Sequence, residues 1–141
     1  MTVIALGATL TQMNKSEGET ARVFKTASFA KAAKKALIKD DELCEAIGEI
    51  LKGQCDDLGG GVYKKRLNKN RHRSIVLTMG RRIWVYTYLF AKNDRANIEA
   101  NELEGFRKLA KAYDAVTHRQ LSKLLADKDF TEICNGDKAE I

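Results

Sequence analysis

The chain has 141 residues, 44% of them hydrophobic, with 25 Lys and Arg against 19 Asp and Glu, a net charge of +6 and a pI near 9.3. That length suits one domain whose core needs no metal or disulfide, and no apolar run reaches the roughly eighteen residues of a membrane span. Cys44, Cys55 and Cys134 are odd in number, far apart and outside any CxxC pattern, so reduced structural thiols are expected in place of a disulfide frame or a zinc site.

Residues 1–21 show no sustained period and read as a flexible N-terminal extension. The apolar stretch Val3 to Leu10 is too short for a secretory signal and no Lys or Arg precedes it, so a cytoplasmic location is expected. From residue 22 to 141 the chain reads as a single domain ending in a C-terminal helical extension. Arg22 to Thr26 forms a short strand. Ser28 caps a helix with Phe29, Ala32, Ala33, Ala36 and Leu37 at helical spacing, and Asp40 or Asp41 caps a second with Leu43, Ala46, Ile47, Ile50 and Leu51 on one face. Gly59, Gly60 and Gly61 read as a flexible connector, after which the period changes to two in Val62 to Leu67. Arg73 to Met79 and Arg82 to Phe90 are strands joined by a Gly80-Arg81 turn, so three consecutive antiparallel strands follow one another. Trp84, Tyr86, Tyr88 and Phe90 should stripe one face of the third, more naturally as core than as a base-stacking platform. Asn101 with Glu104 starts a longer helix, Thr117 with Gln120 a shorter one, and the signals fade after Ala126.

Charge is concentrated. Ten Lys or Arg lie between Val62 and Arg95 against the single acid Asp94, while the rest of the chain is slightly acidic. Such a segment attracts polyanions. Alternation puts Lys64 and Arg66 on one strand face and Tyr63, Lys65 and Leu67 on the other. Arg73 opens the next strand and Lys92 and Arg95 end the third, so the sheet can gather Lys64, Arg66, Arg73, Lys92 and Arg95. Fixed cations of this kind stabilise charge on a phosphate attacked by an RNA 2′-hydroxyl. Arginine binds two phosphate oxygens at once, and a lysine among other cations can serve as a base, the role given to Lys64. Lys65, Lys69, Arg71, His72 and Asn93 are candidate RNA-binding residues. No metal or cofactor is expected: His72 and His118 are the only histidines and neither has an HExxH, Ser/His/Asp or Cys/His context. Composition alone leaves phosphate binding and RNA cleavage both open.

Two stretches discriminate further: Asp57-Leu-Gly-Gly-Gly-Val-Tyr-Lys-Lys-Arg66, and Phe90-Ala-Lys-Asn-Asp-Arg-Ala-Asn-Ile98 leading to Glu102-Leu103. With Phe24-Lys-Thr26 and Leu43-Cys-Glu-Ala46, they resemble the RelE/HigB-like toxins of type II toxin-antitoxin systems, over about Arg22 to Ile133. The resemblance implies an α+β fold, a small antiparallel sheet of about four strands with two N-terminal helices packed on it and C-terminal helices, together with ribosome-associated mRNA cleavage, inhibition of translation, and a cognate antitoxin of the helix-turn-helix type. By position, Lys64 and Arg66 match the family's basic strand pair, Arg73 its phosphate-contacting arginine, and Lys92 and Arg95 the basic residues after the last strand. The chain departs from close relatives in the short connection Leu67-Asn-Lys-Asn-Arg-His72 and in having His72 where a tyrosine is expected. The position of a catalytic tyrosine in some relatives falls near Ile98 and Glu99, which leaves the proton donor open. A ParE-like toxin that inhibits gyrase, or a regulator that holds nucleic acid without cutting it, is the rival reading.

Overall fold

A computed structural model of the chain describes residues 21–80 and 82–134. The expected N-terminal extension lies outside these residues apart from Ala21, as does Arg81 of the expected hairpin turn. Among the described residues the order is β1 (Arg22–Thr26), α1 (Ala27–Lys35), α2 (Asp40–Leu51), β2 (Asp56–Gly59), β3 (Val62–Leu67), β4 (His72–Met79), β5 (Ile83–Ala91), α3 (Ala100–Asp114), α4 (His118–Ala126) and β6 (Phe130–Ile133). The strands form one sheet in the order β2-β3-β4-β5-β1-β6. All neighbours are antiparallel except β1 and β5. The α+β class holds, with six strands where about four were expected. β2 and β6 have four residues each, too few for a period of two to register.

Helix starts follow capping chemistry, though often a residue or two from the expected place. Thr26 caps α1, its hydroxyl accepting from the Phe29 amide at 3.1 Å, so Ser28 lies inside the helix. Lys39 precedes α2 without a side-chain cap, and Asp40, Asp41 and Glu42 in the first turn face the positive end of the helix dipole. Glu99 and Glu102 form the capping box of α3, displacing the expected Asn101 and Glu104 pair. The Thr117–Gln120 box opens α4 as expected.

Helices cover both sides of the sheet. Phe29, Ala33, Leu43, Ala46, Ile47 and Ile50 of α1 and α2 pack with Val23, Leu67, Val76, Trp84 and Tyr86. On the other side Ala110 of α3 packs with Val62, Ile75, Leu77 and Phe90, and Leu121 of α4 packs with Phe24, Met79, Val85 and Phe130. Each large side chain fully buried here contributes about 1.5–3 kcal/mol.

Four further sequence expectations are corrected. Ile75 pairs with Tyr88 and Val76 with Tyr86, which leaves Thr87 as the extra residue of a β-bulge. The aromatic stripe therefore splits, with Trp84 and Tyr86 under α1 and α2 and Tyr88 and Phe90 on the opposite face. The glycines form no loose connector. Gly59 pairs with Val62, and Gly60 and Gly61 make a two-residue turn with φ of +67° and +84°, the geometry that favours glycine in a type I′ hairpin. Cys44 and Cys134 are joined in a disulfide, Cα–Cα 5.4 Å across 90 residues of sequence, because the end of β6 lands against α2; Cys55 remains a free thiol. β5 also begins at Ile83, a residue later than expected.

Candidate nucleic-acid interface

Strand register assembles the cationic face. Arg66 pairs with Arg73, and Arg73 with Phe90; one pleat along, Lys64 pairs with Ile75, and Ile75 with Tyr88. Paired residues share a face, so Lys64, Arg66, Arg73, Tyr88 and Phe90 occupy one surface, on the side where α3 packs. The α3 contact covers Val62, Ile75 and Leu77, and the end carrying Arg66 and Arg73 stays open. The bulge at Thr87 decides this composition, since a regular β5 would turn Tyr88 and Phe90 toward α1 and α2.

Arg66 is exposed, and among the described residues its guanidinium has no partner. Arg73 donates from Nη1 to the carbonyls of Asn70 (3.0 Å) and His72 (3.3 Å), both uncharged. Two like charges therefore sit directly opposite each other with no acid between them, an arrangement that costs stability in a sheet. Lys64 Nζ donates to Asn97 Oδ1 at 3.2 Å and lies 3.6 Å from Asp56 Oδ2.

Arg95 reaches the same surface from the turn after β5, over the rings of Tyr88 and Phe90 at 6.0 and 5.6 Å from their centroids. Nη1 donates to Tyr88 Oη (3.1 Å) and Glu102 Oε2 (3.0 Å), Nη2 to Glu102 Oε1, and Nε to the Asn97 carbonyl (3.0 Å). The hydrogen bonds to Glu102 and then Tyr88 raise the Arg95 pKa further, and those same Arg95 bonds hold the Glu102 carboxyl below its ordinary value. Arg95 is thus a rigid, partly neutralised arm. Asn97 bridges it to Lys64.

The remaining candidates divide. Lys65 points to the other face, where Nζ meets Glu49 Oε1 at 2.7 Å and the Gln54 carbonyl at 2.9 Å, bracing α2. Lys92 is exposed at the strand end, its amide bonded to the Arg71 carbonyl, with Asn93 exposed beside it. Lys69 and Arg71 are exposed in the β3–β4 turn, where Asn68, Lys69 and Asn70 all have positive φ. His72 pairs with Leu67 and Ala91 and so lies on the face opposite Arg66 and Arg73. Sequence reading missed Asp56, Tyr88, Asn97 and Glu102 as parts of this surface. Asn97 and Glu102 stood inside the motif stretch, but nothing in their spacing tied them to Lys64 or Arg95. Among the described residues no cluster of His, Cys, Asp and Glu could hold a metal ion, and no helix is long and apolar enough to cross a membrane.

These features define a small α+β protein with a cationic patch on an otherwise packed sheet. The family model for the RelE toxin of the RelE / RelB toxin-antitoxin system matches residues 21–133, most of the chain, and the chain belongs to that family. It is a RelE-like toxin of a toxin-antitoxin system, and the family implies an antitoxin partner. No curated protein matches the chain. No solved structure matches it either.

Proposed function

We propose that this toxin is an mRNA endoribonuclease that acts on the ribosome in the cytoplasm, inhibits translation, and is restrained by a helix-turn-helix antitoxin. The observation that carries the reading is the direct opposition of Arg66 and Arg73 on an open sheet face. A like-charge pair without an intervening acid is destabilising by itself and becomes favourable once an anion lies between the two. In the reaction the 2′-oxygen attacks the adjacent phosphorus, the bond to the 5′-oxygen breaks and that oxygen takes a proton from water, leaving a 2′,3′-cyclic phosphate and a 5′-hydroxyl. Arg66 and Arg73 take the charge gathering on the non-bridging oxygens. Lys64 serves the attacking oxygen, taking its proton when neutral and balancing its charge when protonated. Arg95, held by Tyr88 and Glu102, positions the strand with Lys92.

The test is cleavage of a defined mRNA with and without translating ribosomes, with the end groups of the products identified. Cyclic phosphate ends, lost on Arg73→Ala while the thermal midpoint holds, support the reading. RNA that is bound but left intact identifies a non-cleaving binder, and damage to DNA with intact transcripts identifies a gyrase-directed toxin.

A further inference from the structure

A pocket of about 540 Å³ opens at the edge of the sheet, between the end of α1 and the last residues of β5, on the side where His72 lies and across the β5 edge from the cationic face. β1 pairs with β5 only as far as Tyr86, so beyond it α1 runs alongside β5 and leaves this recess. Ala32, Ala36, Leu89 and Phe90 give it apolar walls, and His72, Asp94, Lys35, Arg95 and Tyr88 bring polar groups to its lining. The volume lies within the roughly 300–1,000 Å³ of small-molecule sites. Arg95 lines the pocket and also lies over Tyr88 and Phe90 on the cationic face, so a strand whose phosphate meets Arg66 and Arg73 can pass around the edge of β5 and place a neighbouring base here.

Two of these groups have fixed hydrogen-bonding senses. Arg71 Nη2 donates to Asn68 Oδ1 (3.3 Å), which orients that amide so that Asn68 Nδ2 donates to His72 Nδ1 (3.1 Å). Neutral His72 then carries its proton on Nε2 and offers a donor. Asp94 offers only acceptors, and among the described residues its carboxylate has no partner. The two are neighbours: His72 is the ladder partner of Ala91, and the Asp94 amide bonds to the Ala91 carbonyl at 3.0 Å.

We propose that this pocket is a nucleobase subsite that selects guanine, an inference that rests on the RNA-binding reading of the cationic face. Guanine's pairing edge presents an acceptor, O6, followed by two donors, N1–H and the 2-amino group. The His72 donor meets the first and the Asp94 carboxylate the other two. Adenine would set its amino group against the His72 N–H and a lone pair against the carboxylate, so rejection is built in along with recognition.

The experiment uses the full chain and 2′-O-methylated uracil hexamers, which cannot be cut, with a single guanine or adenine moved through each position. Titration calorimetry should find one position at which guanine improves affinity about tenfold over adenine. Asp94→Asn should bring that ratio within about twofold, and His72→Phe should reduce it, both with thermal midpoints near that of the parent. No position favouring guanine, or a preference intact in Asp94→Asn, overturns the subsite. The all-uracil hexamer separates this from the reading beneath it. If its affinity falls on Arg66→Gln while no guanine preference exists, only the subsite fails; if it binds parent and Arg66→Gln alike, the cationic face fails as an RNA site and the subsite with it.

Discussion

Arg66→Gln isolates the charge opposition at the centre of the proposed site. Arg66 is exposed and has no partner among the described residues, while Arg73 keeps its bonds to the Asn70 and His72 carbonyls, so the substitution removes one cation and little else. Directly opposed like charges cost about 0.2–1 kcal/mol in an antiparallel pair. Relieving them should leave stability unchanged or raise it by up to about 1 kcal/mol in urea unfolding at low salt, with the gain fading as salt screens the pair. RNA cleavage should fall about 100- to 1,000-fold, the usual consequence of losing one donor from a site that stabilises developing charge. Binding of uncut single strands should weaken, and the slope of log affinity against log salt should become less negative by about 0.7 for the lost phosphate contact. The two readouts move in opposite directions. Cleavage that falls only in step with the folded fraction, or a variant clearly less stable than the parent, would refute the argument.

The Arg95–Glu102 pair makes stability depend on acid. The Glu102 pKa is lowered in the fold, so its contribution is complete above the unfolded glutamate value near about 4.3 and is lost as pH falls through the lowered folded value. Glu102→Gln should flatten that part of a plot of thermal midpoint against pH. For the disulfide, closing 90 residues of chain restricts the unfolded state by about 4–5 kcal/mol in the entropic account. Dithiothreitol should therefore lower the urea midpoint substantially in the parent and leave Cys44→Ser unaffected. Because a reducing cytoplasm opens such bridges, activity measured in the reductant tests whether the site survives without it. Gly61→Ala should cost about 1–3 kcal/mol, since φ is +84° there and a Cβ would lie 2.8 Å from Thr78 Oγ1; chemical denaturation checks this.

What could be read in advance was whatever a local period carries. The alternation of Val62 to Leu67 placed Lys64 and Arg66 together and Lys65 apart from them, and β1 and the Thr117 capping box fell where their residues signalled. The bulge at Thr87 was hidden because it exists only in the pairing of β5 with β4, and one such slip reverses every later side chain. Cys44 and Cys134 carry no mutual signal, since β6 is too short to announce itself and its position beside β1 is a tertiary fact. The acids and amides that restrain the cations were invisible for a related reason. Asp56 opens β2, Asn97 lies in the β5–α3 connection and Glu102 in the first turn of α3, and only the folded sheet brings them to Lys64 and Arg95.

The bridge between Cys44 and Cys134 has a topological result. Every cation of the proposed site lies in the interval between those two cysteines, so the surface is carried by a covalently closed ring. The turn holding Lys69 and Arg71 is exposed on that ring and is a natural place for trypsin to cut. A single scission there leaves two pieces tethered through sulfur. They should migrate as one band until a thiol is added, and the nicked molecule keeps Arg66 and Arg73 on strands that still belong to the same object.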